Sequence, residues 1–283
     1  MLTSRNFSKL SSHDFTRLSK FIYTEYGIKM NPLKKTMLES RLQKRLSALN
    51  FASCKEYCDY LFSSEGQAHE VTALVNVITT NKTDFFREAA HFDFLSNVVL
   101  PEFNALPRAN SHPLRVWSAG CSTGEEVYTL AMVFNEFTEA RASTMNYSIV
   151  GTDLSTKVLD QAVSAVYTEE RIAAIPLMLK RKYFLRSKDP SKRTVRIVPE
   201  LRRKAVFQSL NFMDSHYEVK GTFDVVFCRN VLIYFDRSTQ EKVINRLCAK
   251  MKEGSYFFLG HSESITDMQV PLQQVRPTIF KKI

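Results

Sequence analysis

The stretch VWSAGCSTGEEVYTLAM, residues 116–132, constrains the fold more than any other part of the chain. Val116, Trp117 and Ala119 suit a buried strand, Gly120 through Gly124 a tight turn, and Glu125 to Met132 the start of a helix. Loops of this kind usually cradle a phosphate on a helix N-terminus. This one follows neither the G-x-G-x-x-G nor the G-x-x-x-x-G-K-[ST] spacing. It also sets two carboxylates, Glu125 and Glu126, where a phosphate would rest.

From about residue 91, strand candidates at Leu114–Ala119, Tyr147–Thr152, Ala205–Leu210, Phe223–Cys228, Tyr256–Leu259 and Thr278–Lys281 alternate with helices at 124–139, 155–166 and 237–252. The alternation predicts an α/β fold: a doubly wound, mostly parallel open sheet covered on both faces, with ligands outside the carboxyl ends of the strands. At 283 residues the chain exceeds the usual single-domain size. Residues 1–80 read as an all-α N-terminal domain. Phe15, Leu18, Phe21 and Ile22 set a helical rhythm that closes at Gly27, and a second helix starts near Asn31-Pro32. On that second helix Leu38, Leu42 and Leu46 form one stripe, with Lys34, Arg41 and Arg45 beside it. Helices over 51–62 and 69–78 complete the bundle. Residues 81–90 form an interdomain segment and 91–283 the second domain. Within it KYFLRS and TVRIV, joined by KDPSKR, predict a small antiparallel β insertion over about 176–206.

Composition narrows the function. No apolar run approaches the ~18 residues of a membrane span, and the opening MLTSRNFSKLSSHDF has no apolar leader. A cytoplasmic location is the expectation. Five cysteines without framework spacing read as free thiols; Cys54 and Cys58 lack the Cys/His partners of a zinc site, so no metal is expected. Residues 180–206 hold eleven Lys/Arg against two Asp/Glu, nearly all of the net charge of +10. That surface should meet something acidic.

A helix N-terminus attracts an anion by about 0.3–1 kcal/mol. Glu125 and Glu126 already fill that role and would repel pyrophosphate, and no Lys follows the second glycine. The turn fits a nucleoside ligand that carries positive charge and no phosphate, which is S-adenosylmethionine. Other strand ends agree. Asp153 closes GTD and suits ribose hydroxyls; Asn211 and Phe212 of QSLNFMD stand level with an adenine; Arg229 and Asn230 of VVFCRNVLIYF reach the same rim. Each has a packing alternative: the glutamates complement the helix dipole, Asp153 caps the next helix, Asn211 sits in a turn and Phe212 in the core.

The segments TTNKTDFFRE, VWSAGCSTGEE, GTDLS, QSLNF, FCRNVLIYFD and GHSES resemble the CheR chemotaxis receptor methyltransferases along nearly the whole chain. The resemblance implies a Rossmann-like class I methyltransferase. Its members transfer methyl from S-adenosylmethionine to glutamate side chains of methyl-accepting chemotaxis receptors, leaving S-adenosylhomocysteine. Carried over by position, Asn81, Thr83, Arg87, Glu126, Asp153, Asn211, Phe212, Arg229 and Asn230 match the cofactor contacts. Glu125 keeps the dipole role. Thr83 and Arg87 share a face if their segment is helical. The implied partner is the receptor's cytoplasmic helical domain. In part of the family a receptor C-terminal peptide also docks at the insertion by strand addition, helped by hairpin glycines. Here the hairpin loop, SKDPSKR, has none, although an exposed hairpin edge still offers a place for a strand.

A glutamate side chain, with a pKa of about 4.3, is ionised at pH 7, so methyl transfer to it needs no general base. Arg87 and Tyr234 are candidates for orienting the incoming carboxylate, Tyr234 with core packing as its alternative. Lys34, Arg41, Lys44 and Arg45, or the insertion, would meet an acidic receptor. GHSES is not the G-x-S-x-G of a hydrolase. A nucleic-acid methyltransferase is the enzymatic rival. It commonly carries a [DN]PP[YF] sequence where this chain reads CRNVLIYF, so no nucleic acid is expected. A non-catalytic S-adenosylmethionine-binding adaptor is the rival of another class, separable by methyl release from purified receptor membranes.

Overall fold

The computed structural model describes residues 9–106 and 113–283. The first eight residues, part of the stretch read for a leader, lie outside the described residues. Two compact units emerge. One comprises the chain up to Thr80 together with Tyr234–Asp236, and the other Asn81–Ile233 with Arg237–Ile283.

The first unit is helical: α1 (Ser12–Tyr26), α2 (Lys35–Leu49), α3 (Cys54–Leu61), α4 (Ser64–His69) and α5 (Val71–Ile78). The Ser11 side chain caps the amide of Asp14 to open α1, and Gly27 in the left-handed region (φ 69°) closes it. Leu38, Leu42 and Leu46 are fully buried, among Leu18, Ile22, Leu61 and Leu74. Each such side chain contributes about 1.5–3 kcal/mol by leaving water.

The second unit carries β1 (Leu114–Ala119), β2 (Tyr147–Asp153), β3 (Val166–Thr168), β4 (Phe184–Arg186), β5 (Thr194–Ile197), β6 (Ala205–Ser209), β7 (Phe223–Cys228), β8 (Met251–Leu259), β9 (Leu272–Arg276) and β10 (Ile279–Lys282). Its helices are α6 (Ala89–Phe94), α7 (Leu100–Asn104), α8 (Glu125–Ala140), α9 (Thr156–Ser164), α10 (Leu177–Tyr183), α11 (Pro199–Arg202) and α12 (Arg237–Ala249). The main sheet runs β6-β2-β1-β7-β8-β10-β9. Its first five strands are mutually parallel, and β10 and β9 close one side antiparallel. The order reverses between β1 and β7, so the expected doubly wound architecture is present. Strands buried on both faces need largely apolar runs, and Phe223 through Cys228, all six buried, supply one broken only by Asp224, which accepts the Arg115 amide at 2.9 Å. Phe227 stacks on Phe258 of the neighbouring strand at 4.2 Å, and Trp117 donates its indole N–H to Thr152 across β1–β2 at 3.0 Å.

The insertion is a second sheet, β3-β5-β4, antiparallel throughout. It has one strand more than the sequence predicts. Val166, read as the last residue of the helix over 155–166, opens the extra strand instead, because Ala165 ends the helix with left-handed backbone (φ 54°) that turns the chain. Lys182 and Tyr183, read as the start of a strand, end α10 instead. All five cysteines are buried free thiols. Among the described residues no helix is long and apolar enough to cross a membrane.

Candidate active site

The carboxyl ends of β2, β1 and β7 meet where the strand order reverses. The turn after β1 is fixed to β2: the amides of Gly120 and Cys121 both donate to the Thr152 carbonyl (2.7 and 2.9 Å), and the Ser122 amide donates to Asp153 Oδ2 at 2.9 Å. At Gly120, φ is +88° and a Cβ would stand 2.3 Å from Val231 Cγ2. Glycine is therefore required here both for the turn and for the approach of the chain beyond β7. Asp153 Oδ1 accepts the Ser155 amide at 2.9 Å. The capping role offered as the alternative for Asp153 falls instead to Ser155, the residue before α9; Asp153 accepts the amide of that residue with one oxygen and holds the glycine turn with the other. Burial still pushes its pKa up, against these backbone hydrogen bonds.

The two glutamates at the start of α8 diverge. Glu125 is fully buried. Its carboxylate accepts Thr123 Oγ1 and an Arg171 guanidinium N–H, each at 2.5 Å. The sequence reading gave Glu125 the helix dipole; its partner is a cation from the turn Glu170–Ile172, 46 residues away. Glu126 accepts Ser118 Oγ at 2.7 Å, and Arg229 Nε stands 3.6 Å from its other oxygen. Burial raises the Glu126 pKa, and the Arg229 charge and the Ser118 hydroxyl pull it back. Arg229 itself lies beneath the rim rather than on it. Its side chain is 2% exposed, over the rings of Phe92 and Phe227 and 3.4 Å from Glu88 Oε2.

The segment Asn81–Glu88 is not helical, since Phe86 and Glu88 take left-handed backbone. The shared face expected of Thr83 and Arg87 is therefore absent. What brings this segment to the glycine turn is a line of backbone carbonyls. Asn81 accepts Ser122 Oγ (3.0 Å), Thr83 accepts Arg171 (2.8 Å) and Arg87 accepts Arg229. The Arg87 guanidinium, half-buried, donates to the Lys82 carbonyl at 3.1 Å.

On the far side, Asn211 Oδ1 accepts the Met213 amide at 3.0 Å, the turn role foreseen for it, and Phe212 is 8% exposed. Asn230 has φ +60° and donates Nδ2 to Glu88 Oε1 at 3.1 Å. Glu88, His91 and His261 offer ligand-type atoms within 4.8 Å of one another. Arg229 already supplies positive charge there, and burial together with that charge lowers the His91 pKa to about 4. Tyr234 is grouped with the helical unit, where its carbonyl accepts the Lys29 amide at 2.9 Å.

On α2 the four candidate cations part ways. Arg45 makes a paired contact with Glu70, 2.7 Å at each oxygen, and Tyr57 donates to the same buried carboxylate at 2.9 Å. Arg41 donates to the Ile78 and Thr79 carbonyls and to Thr80 Oγ1, capping the end of α5. These two cations are committed inside their own unit and leave a basic stripe thinner than the sequence suggests. Lys34 Nζ reaches the Lys29 carbonyl (3.0 Å), and Lys44 is exposed. In the insertion Lys182 is paired with Glu136 and Glu139, whereas Arg181, Lys188 and Arg193 are exposed. Sequence reasoning missed Arg171 and Glu88. Glu88 at least lies inside the quoted TTNKTDFFRE.

A parallel sheet with an acidic, lysine-free glycine turn at its switch point defines a Rossmann-like methyltransferase of the S-adenosylmethionine-dependent class. Two family models match the chain. "CheR methyltransferase, SAM binding domain" covers residues 81–280, and "CheR methyltransferase, all-alpha domain" covers residues 13–79. The chain belongs to the CheR methyltransferase family. It is 37% identical to a chemotaxis protein methyltransferase of Borreliella burgdorferi, covering 96% of this chain and 95% of that protein. It is 35% identical to chemotaxis protein methyltransferase 2 of Pseudomonas aeruginosa (94% and 92%) and 35% identical to the chemotaxis protein methyltransferase of Escherichia coli (92% and 87%).

Proposed function

We propose that this methyltransferase esterifies glutamate side chains on the cytoplasmic helical domain of methyl-accepting chemotaxis receptors, leaving S-adenosylhomocysteine. The observation that carries the reading is the brace around Glu126. Ser118 and Arg229 hold a mostly buried carboxylate at the start of α8, beside a glycine turn that has no phosphate-binding lysine. That donor set suits a cationic nucleoside and repels a phosphorylated one. Glu126 attracts the positively charged end of the cofactor, and Arg229 acts through Glu126, fixing its orientation. Asp153, bracketing the turn, keeps lone pairs for ribose hydroxyls beyond those its two amides use. Asn211, Phe212 and Asn230 border the adenosine, and Asn81, Thr83 and Arg87 cover the turn from the segment stitched to it.

When bound, the cofactor supplies a methyl group on a sulfonium that departs as a neutral thioether. The chain's task is alignment and exclusion of water. Arg87 orients the incoming carboxylate, which is already ionised. The exposed Lys44 on α2 with the half-buried Lys34 before it, and the exposed Arg181, Lys188 and Arg193 on the insertion, face the acidic receptor. The outer strand β4 is where a receptor C-terminal segment would add.

The test is incubation of purified protein with methyl-labelled cofactor and receptor-containing membranes. Alkali-labile methanol release from receptor protein is expected. Cofactor binding without labelled ester would replace the enzyme with an adaptor, and label in nucleic acid would replace the substrate.

A further inference from the structure

The GHSES sequence has no chemical role in methyl transfer, yet its glutamate accepts four backbone hydrogen bonds. Glu263 is 8% exposed. Its Oε2 accepts the amides of Asn230 (3.0 Å) and Gly260 (2.7 Å), and its Oε1 accepts the amides of Val231 (2.9 Å) and Leu232 (2.8 Å). Four backbone donors from the ends of β7 and β8 thus converge on one carboxylate. Three belong to consecutive residues leading into the helical turn that opens at Leu232, where the first amides have no partner within the turn. Asn230 takes left-handed backbone at φ +60°, a conformation that asparagine reaches more readily than most side-chain-bearing residues. The glycine of the same motif completes the mould. A Cβ on Gly260 would stand 2.1 Å from Asn230 Nδ2 and 2.8 Å from its amide nitrogen.

We infer that Glu263 is a positioning residue for cofactor binding: its carboxylate moulds the turn after β7 and so aims the Asn230 side chain, while Gly260 leaves room for that side chain. The path is continuous. Asn230 Nδ2 donates to Glu88 Oε1, Glu88 Oε2 faces Arg229, and Arg229 faces Glu126. One anchor therefore governs both the adenosine side and the sulfonium side of the site. The inference rests on the proposed cofactor role of Asn230.

The test compares wild type with Glu263→Gln, Glu263→Asp and Asn230→Ala. Glu263→Gln keeps the shape but turns an N–H₂ group toward backbone donors. Binding of S-adenosylhomocysteine is followed by titration calorimetry, and hydrogen exchange of the peptide spanning 229–233 is measured without ligand. Glu263→Gln is expected to weaken binding about tenfold, speed exchange in that peptide, and raise KM for the methyl donor while leaving KM for receptor unchanged. The double variant with Asn230→Ala should lose little more than the worse single variant, because one residue acts through the other. A folded Glu263→Gln with wild-type affinity, or losses that simply add, overturns the inference. Should Glu263→Gln not fold, Glu263→Asp carries the same comparison. Failure of wild type to bind S-adenosylhomocysteine, or full affinity in Asn230→Ala, instead strikes the cofactor reading beneath it.

Discussion

Arg87 donates to the carbonyl of Lys82 through a single guanidinium nitrogen, so truncating it removes little that holds the fold. Arg87→Ala is expected to keep the wild-type unfolding midpoint and to lose most methyl transfer to receptor, read with labelled cofactor beside a denaturation curve. His91 makes the opposite kind of prediction, about stability. Burial, then the Arg229 charge, lowers its pKa from 6.5 to about 4; Glu88 opposes this, and His261 adds to it. The unfolded chain takes up the proton below about pH 6.5 while the native state resists it down to about pH 4. The stabilisation is therefore complete above pH 6.5 and is lost as pH falls through that window. By pH 5 this group alone should lower stability by about 2 kcal/mol. Urea midpoints of His91→Gln at pH 7 and pH 5 should differ by correspondingly less than those of wild type. Comparison with the variant isolates His91 from Glu126, Asp153 and Glu263, whose raised values act in the opposite direction.

At the scale of elements, the strands, the glycine turn and the basic insertion were legible because their signals are local. Largely apolar runs such as Phe223–Cys228 and a glycine at φ +88° announce themselves within a few residues. What was not legible depends on partners far apart in the chain. Arg171 meets Glu125 across 46 positions, and Asn230 meets Glu88 across 142. The condition under which Thr83 and Arg87 would share a face, a helical segment, is not met because two left-handed residues, Phe86 and Glu88, break the period without a glycine or proline to signal it. Helix α2 shows the same limit. Its cationic stripe looked like a docking face, but Arg45 is the counter-charge of a carboxylate 2% exposed. Arg45→Ala should destabilise the helical unit on the order of 3 kcal/mol by leaving Glu70 buried and unpaired. A lowered urea midpoint together with unchanged affinity for S-adenosylhomocysteine would be the signature.

At the scale of the whole molecule, almost all of the net charge of +10 comes from residues 180–206, so recognition of an acidic receptor should respond to ionic strength. Raising salt from about 50 to 300 mM shortens the screening length from roughly 14 to 6 Å. It should raise KM for receptor several-fold with KM for cofactor unchanged. Lys44→Glu should do the same at low salt; identical receptor kinetics in that variant would take α2 off the docking surface. The thiols carry a different kind of consequence. Cys54 and Cys58 lie in the helical unit and Cys121, Cys228 and Cys248 in the sheet unit, all of them buried. Burial pushes Cys58 and Cys248 up to about 12, so a native molecule should be nearly inert to alkylation. Each thiol then reacts only when its own surroundings open. Pulsed alkylation read by peptide mass would time the opening of each unit separately, with the molecule serving as its own clock and no label engineered into it.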